Sequence, residues 1–76
     1  MANEVRRNDA DGRYELWADG ELVLGRDLGS TNGTFRRRDG DLQRVGGIAE
    51  GATPLEPGDA LVTIDGVLLA TIAAVP

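Results

Sequence analysis

The chain contains no cysteine, no histidine and no lysine. Without cysteine there is no disulfide, no thiolate nucleophile and no cysteine metal site. Without histidine the chain lacks the usual general base near neutral pH, the commonest metal ligand and any serine–histidine–aspartate triad. Without lysine it has neither a Schiff-base amine nor the lysine of a P-loop. No catalysis, no metal and no cofactor are expected. Large side chains are equally scarce, the aromatics being Tyr14, Trp17 and Phe35. The longest apolar stretch, Val67 to Pro76, falls well short of the ~20 residues that span a bilayer. The opening Met1-Ala2-Asn3-Glu4 lacks the apolar centre of a signal peptide. A cytoplasmic protein with no membrane partner is the expectation. Positive charge is also in short supply, with eight basic against thirteen acidic residues and a net charge of −5. A sequence-independent hold on nucleic acid needs net positive potential, so no nucleic acid partner is expected.

What the chain has is glycine, 11 of its 76 residues. This length allows one domain, and a fold of about 60 residues buries only about 60% of its unfolded surface. Hydrophobic residues at 41% and charged residues at 28% are those of a globular protein. Residues 1–12 are polar and read as a flexible N-terminal segment ending in the turn Asn8-Asp9-Ala10-Asp11-Gly12. Arg13 to Trp17 alternates, Asp19-Gly20 is a hairpin turn, and Glu21 to Leu24 returns. Thr34 to Arg38, Asp39-Gly40 and Leu42 to Val45 repeat the pattern. Gly46-Gly47 and Gly51-Ala52 interrupt it and leave Ile48 as an isolated apolar anchor. Pro57-Gly58 has the order of a type II turn. Ala60 to Ile64, the turn Asp65-Gly66 and Val67 to Val75 form a last hairpin. No window carries a helical apolar stripe. Residues 13–76 are therefore predicted to form one all-β domain, a small antiparallel sandwich or partial barrel of roughly six to seven hairpin-connected strands. Tyr14 and Trp17 are expected in the core or partly buried. Asp39, Asp41, Asp59 and Asp65 fall at turns, where aspartate serves the backbone, and no acid/base dyad stands out.

One segment has the composition of a site. Asp27-Leu28-Gly29-Ser30-Thr31-Asn32-Gly33-Thr34 sets three short polar side chains between glycines, and such a loop can present N–H groups to an anion. This run closely resembles the loop signature of the forkhead-associated (FHA) domain. Leu55-Glu56-Pro57-Gly58-Asp59-Ala60-Leu61 resembles that family's later Leu-x-x-Gly-Asp-x-Leu segment, in the family's order. The resemblance implies a β-sandwich that captures phosphothreonine peptides through its loops. It implies that Thr31 meets the phosphate beside Ser30, that Asn32 holds the peptide backbone, and that Gly29 and Gly33 permit the turn. It also implies that Asp27 braces the loop from inside. Gly25-Arg26 resembles the family's earlier strand end, whose arginine binds phosphate as a bidentate fork. In the family a long stretch separates that arginine from the loop and carries a Ser-x-x-His signature. Here Arg26 and Ser30 are almost adjacent and histidine is absent, so the implied phosphate site is incomplete.

Plainer readings stand beside these. Ser30, Thr31 and Asn32 suit a loop kept for its turn geometry alone, and Arg26 suits an exposed strand end. Arg36, Arg37 and Arg38 with Arg44 form a basic patch. Alternation puts Arg36 and Arg38 on one face, where such charges protect a sheet edge or meet an acidic partner. Arg44-Val45-Gly46-Gly47-Ile48-Ala49 fits the pyrophosphate loop of acetyltransferases, but that loop must open a helix and Glu50 to Pro54 does not continue as one. Gly51 to Val67 has a fainter likeness to a PDZ segment. The reading is a truncated or internally deleted FHA-like module, non-catalytic, whose partner is a protein or phosphothreonine peptide. The alternative is a small structural or assembly protein, of phage or capsid decoration type, that forms a homo-oligomer. For that alternative the uncharged tail Leu68 to Val75 supplies a sticky edge strand.

Overall fold

A computed structural model describes residues 3–7 and 13–74. These residues form eight strands: β1 (Asn3–Arg7), β2 (Tyr14–Asp19), β3 (Leu22–Asp27), β4 (Phe35–Arg38), β5 (Asp41–Arg44), β6 (Thr53–Leu55), β7 (Ala60–Val62) and β8 (Leu68–Ala74). They pair antiparallel in two sheets, β1-β8-β7-β4-β5 and β2-β3-β6. The protein is a small all-β sandwich. Among the described residues no helix is long and apolar enough to cross a membrane.

The turns show how local sequence sets the strands. Asp39 and Gly40 sit at φ 51° and 84° between Arg38 and its partner Asp41. Two successive positive φ values make a type I′ turn, which suits the strands' twist and which aspartate and glycine tolerate best. The first hairpin turns one residue later than expected. Asp19 pairs with Leu22, so Gly20 and Glu21 form the loop. Only Gly20 of these has positive φ, as a type II′ turn requires. The last hairpin is longer. Gly66 donates its N–H to the Thr63 carbonyl, and Thr63 donates to Val67, 2.9 Å each. Glu56-Pro57-Gly58-Asp59 closes as a turn with Gly58 at φ 94°.

The core lies between the sheets. Leu16, Val23 and Leu55 of the small sheet meet Leu61, Leu69, Ala70 and Ile72 of the large one, with Val45 beside them. Each fully buried aliphatic contributes roughly 1.5–3 kcal/mol. Gly25 belongs to this contact. A Cβ there would stand 2.8 Å from Leu16 Cδ2 on the paired strand β2, so the glycine makes room for the Leu16 and Leu55 side chains of the same sheet. Tyr14 packs on the core and donates its hydroxyl to the Leu69 carbonyl at 3.2 Å, joining the sheets. Trp17 faces outward and is half-buried, with the Arg26 guanidinium 5.4 Å from its ring centre.

Four expectations are corrected. Residues 3–7, expected as part of a flexible segment 1–12, form a strand. They pair along β8 from Asn3↔Ala74 to Arg7↔Ala70, and Val5 packs on the core. The expected turn at 8–12 and residues Val75 and Pro76 lie outside the described residues. The strand count is eight because β1 and the short β6 join the hairpins. Ile48 anchors nothing and is 68% exposed. The apolar tail is not an edge. β8 lies inside the large sheet with β1 and β7 on either side, so its backbone groups face neighbours.

Candidate functional site

Asp27 ends β3 with its side chain on the inner face, 7% exposed. Its carboxylate organises the loop that follows. It accepts the backbone N–H of Gly29 at 3.2 Å and of Ser30 at 3.1 Å. It also accepts the Ser30 hydroxyl and the buried Thr34 hydroxyl, the latter at 2.7 Å. Burial alone would raise this carboxyl, but the Ser30 and Thr34 hydroxyls and the two N–H groups outweigh it. Its pKa is held below the ordinary aspartate value. The backbone fixes both ends of the loop. Asp27 N–H donates to Gly46 at 2.9 Å, Leu28 N–H to Arg13 at 2.7 Å, and Val45 N–H to Thr34 at 2.8 Å. Gly33, at φ 85°, is buried, and the Arg44 guanidinium packs where its Cβ would stand.

Asp27 therefore occupies the inside of the loop, while Thr31 and Asn32 are exposed on its outside. They open on a cleft of about 310 Å³. Ser30 to Thr34 form one wall, the β7–β8 turn with Thr63, Ile64, Asp65 and Val67 forms the other, and Arg13 and Leu69 complete it. One wall is hydroxyl- and amide-rich. The opposite turn brings two exposed aliphatics, Ile64 at 50% and Val67 at 55%. Among the described residues Arg13 is the only basic residue lining the cleft, and Asp65 the only acidic one. Among the described residues no group of three carboxylates gathers to hold a metal ion.

The other basic residues singled out by sequence are placed elsewhere. Arg26 lies on the outer face of the small sheet, opposite Glu15, and its guanidinium holds the Glu15 carboxylate at 2.8 Å beneath Trp17. It does not line the cleft. Arg36 binds Gln43 through its terminal nitrogen, and its Nε is buried without a partner. Arg37 points outward and is exposed. Arg38 forks onto the buried Asp59 with two 2.7 Å contacts. Asp59 also accepts the Glu56 N–H at 2.8 Å. Burial opposes the charged form of Asp59, but Arg38 and the Glu56 N–H outweigh it and lower its pKa. The guanidinium of Arg38 is in turn held more firmly protonated, chiefly by its bond to Asp59. Of the basic patch, Arg38 is tied to the buried Asp59, whereas Arg36 reaches Gln43 at the surface and Arg37 and Arg44 are exposed.

Arg13, Thr63 and Asp65 were not singled out by sequence reasoning. For Arg13 a signal existed. The two-residue turn at Gly20-Glu21 sets Tyr14 opposite Asp27, so Arg13 must stand beside the loop's first residue, Leu28. Thr63 and Asp65 reach the loop only through the non-local β4–β7 pairing, which no local pattern encodes. The chain matches no family model, no curated protein and no solved structure.

Proposed function

We propose that this chain is a non-catalytic binding module that takes a phosphothreonine peptide at the 27–34 loop, as its FHA-like motif implies. The observation that supports the reading is the division of labour around Asp27. The carboxylate uses the loop's inner donors and holds the backbone, leaving Thr31 and Asn32 exposed at a cleft. Preorganised donors of this kind bind without paying to order a mobile loop. In this reading Thr31 donates to the phosphate and Asn32 fixes the peptide backbone. Ser30 braces instead of binding, because its one hydroxyl proton is given to Asp27 and a phosphate needs donors. Ile64 and Val67 offer an apolar wall to a neighbouring side chain of the peptide. Phosphorylated proteins being the ligand class, the cytoplasm is the compartment proposed.

Calorimetric titration against a phosphothreonine peptide library, with unphosphorylated controls, tests the proposal. Binding that requires the phosphate and weakens about tenfold in Thr31→Ala and in Asn32→Ala supports it. Equal binding of phosphorylated and unphosphorylated peptides rejects it.

A further inference from the structure

An anion site needs a cation or several N–H donors aimed at one point. The motif offers Arg26 for that role, but its guanidinium is held by Glu15 and Trp17 on the outer face of the small sheet. Drawing it to the loop would break the 2.8 Å ion pair and carry the side chain around the strand. Arg38 is equally committed to Asp59. Two arginines near the loop have no ion-pair partner among the described residues, Arg13 and Arg44. Arg44 packs against Gly33 but does not line the cleft.

We infer that Arg13, which lies outside the motif, is the phosphate-binding cation of this site and replaces Arg26. Arg13 lines the same cleft as Thr31 and Asn32. Its backbone carbonyl accepts the Leu28 N–H at 2.7 Å, so the residue is registered to the start of the loop. A guanidinium there supplies up to two parallel donors to a phosphate, with the Thr31 hydroxyl adding a third. The inference takes its ligand from the proposal above, but its chemistry is only that of anion binding.

The test compares R13A, R26A and R44A with the wild-type chain, using the tightest phosphothreonine peptide from the library. All three side chains are at least partly solvent-exposed, and Trp17 fluorescence with circular dichroism verifies the fold. R13A is expected to weaken binding about tenfold or more, R26A by less than about twofold, and R44A by less than R13A. R13K is expected to recover part of the loss, since lysine restores the charge without the fork. An R13A variant that binds as the wild type does, or an R26A or R44A loss as large as that of R13A, overturns the inference while leaving the phosphopeptide reading standing. If no phosphopeptide binds, that reading falls, and inorganic phosphate then tests Arg13 by itself. Phosphate-induced NMR shifts at the Thr31 and Asn32 amides that vanish in R13A sustain it. Shifts that are absent, or that persist in R13A, overturn it.

Discussion

Asp27 is the residue on which the loop depends, because its one carboxylate satisfies two backbone N–H groups and two hydroxyls. Asp27→Ala leaves the buried Thr34 hydroxyl and the Ser30 N–H without partners. A cost of about 2 kcal/mol or more is expected, read as a fall in the urea midpoint. The same carboxylate sets part of the acid response. Asp27 and Asp59 both have folded pKa values below the ordinary aspartate value. Their contribution to stability is therefore complete above the unfolded value near 3.9 and is lost as pH falls through the lower folded value. Stability measured from pH 7 to pH 2 is expected to stay level down to about 4 and then decline. In the Asp27→Asn, Asp59→Asn double variant that decline is expected to be shallower. A variant as steep as the wild type would place the acid response elsewhere. Asp65 works in the opposite direction at the cleft, where its exposed carboxylate repels an anion. Asp65→Asn is expected to tighten phosphopeptide binding by about two- to threefold at low salt, as calorimetry would record.

At the scale of strands and turns, the hairpins were legible because they are local. Asp39-Gly40 and Pro57-Gly58 sit where residue chemistry puts them, and the φ values show why only such residues fit. Asp19-Gly20 named the right hairpin but the wrong central pair, since the dipeptide serves both an Asp-Gly type I′ and a Gly-x type II′ turn. β1 was illegible because Asn3-Glu4-Val5-Arg6-Arg7 has one apolar residue, and its partner β8 lies at the far end of the chain. β6, with Pro54 at its centre, fails the usual strand pattern and forms only as an edge beside β3. The loop's internal bracing was implied by the motif, but the second wall of the cleft depends on how β7 and β8 pair. The segment after β5 tests this level directly. A Cβ on Gly46 would lie 2.5 Å from the Gly51 carbonyl oxygen, a backbone atom that cannot swing away. Gly46→Ala is expected to destabilise the fold and to loosen Asp27, whose N–H is held by the Gly46 carbonyl. Paired denaturation and amide-exchange measurements would show both effects, and an unaltered midpoint would mean the 45–51 segment shifts freely. All four residues of β5 are exposed, whereas all three of β7 are buried. Amides of β5 are accordingly expected to exchange faster than those of β7.

For the whole molecule, β1 pairs against β8 and joins residues far apart in sequence within the large sheet. This arrangement encloses the apolar tail and leaves β1 and β5 as the edges of the large sheet. Arg6 and Arg7 on one edge and Asp41 and Arg44 on the other carry charge, as protected edges do. Pairing of another copy along the large sheet thus meets charged edge strands, and light scattering on a size-exclusion eluate is expected to give a monomer. A stable dimer would place an edge strand, β1 or β5 of the large sheet or β2 or β6 of the small one, in an interface. The net charge of −5 also shapes binding. It opposes a phosphorylated ligand at long range, so selectivity must come from local donors around the cleft. The measurement that bears most directly on this account is calorimetric titration of one phosphothreonine peptide into the wild-type chain and into Thr31→Ala. The account predicts phosphate-dependent binding in the first and a loss of about tenfold in the second. Binding indifferent to both the phosphate and Thr31 would contradict it.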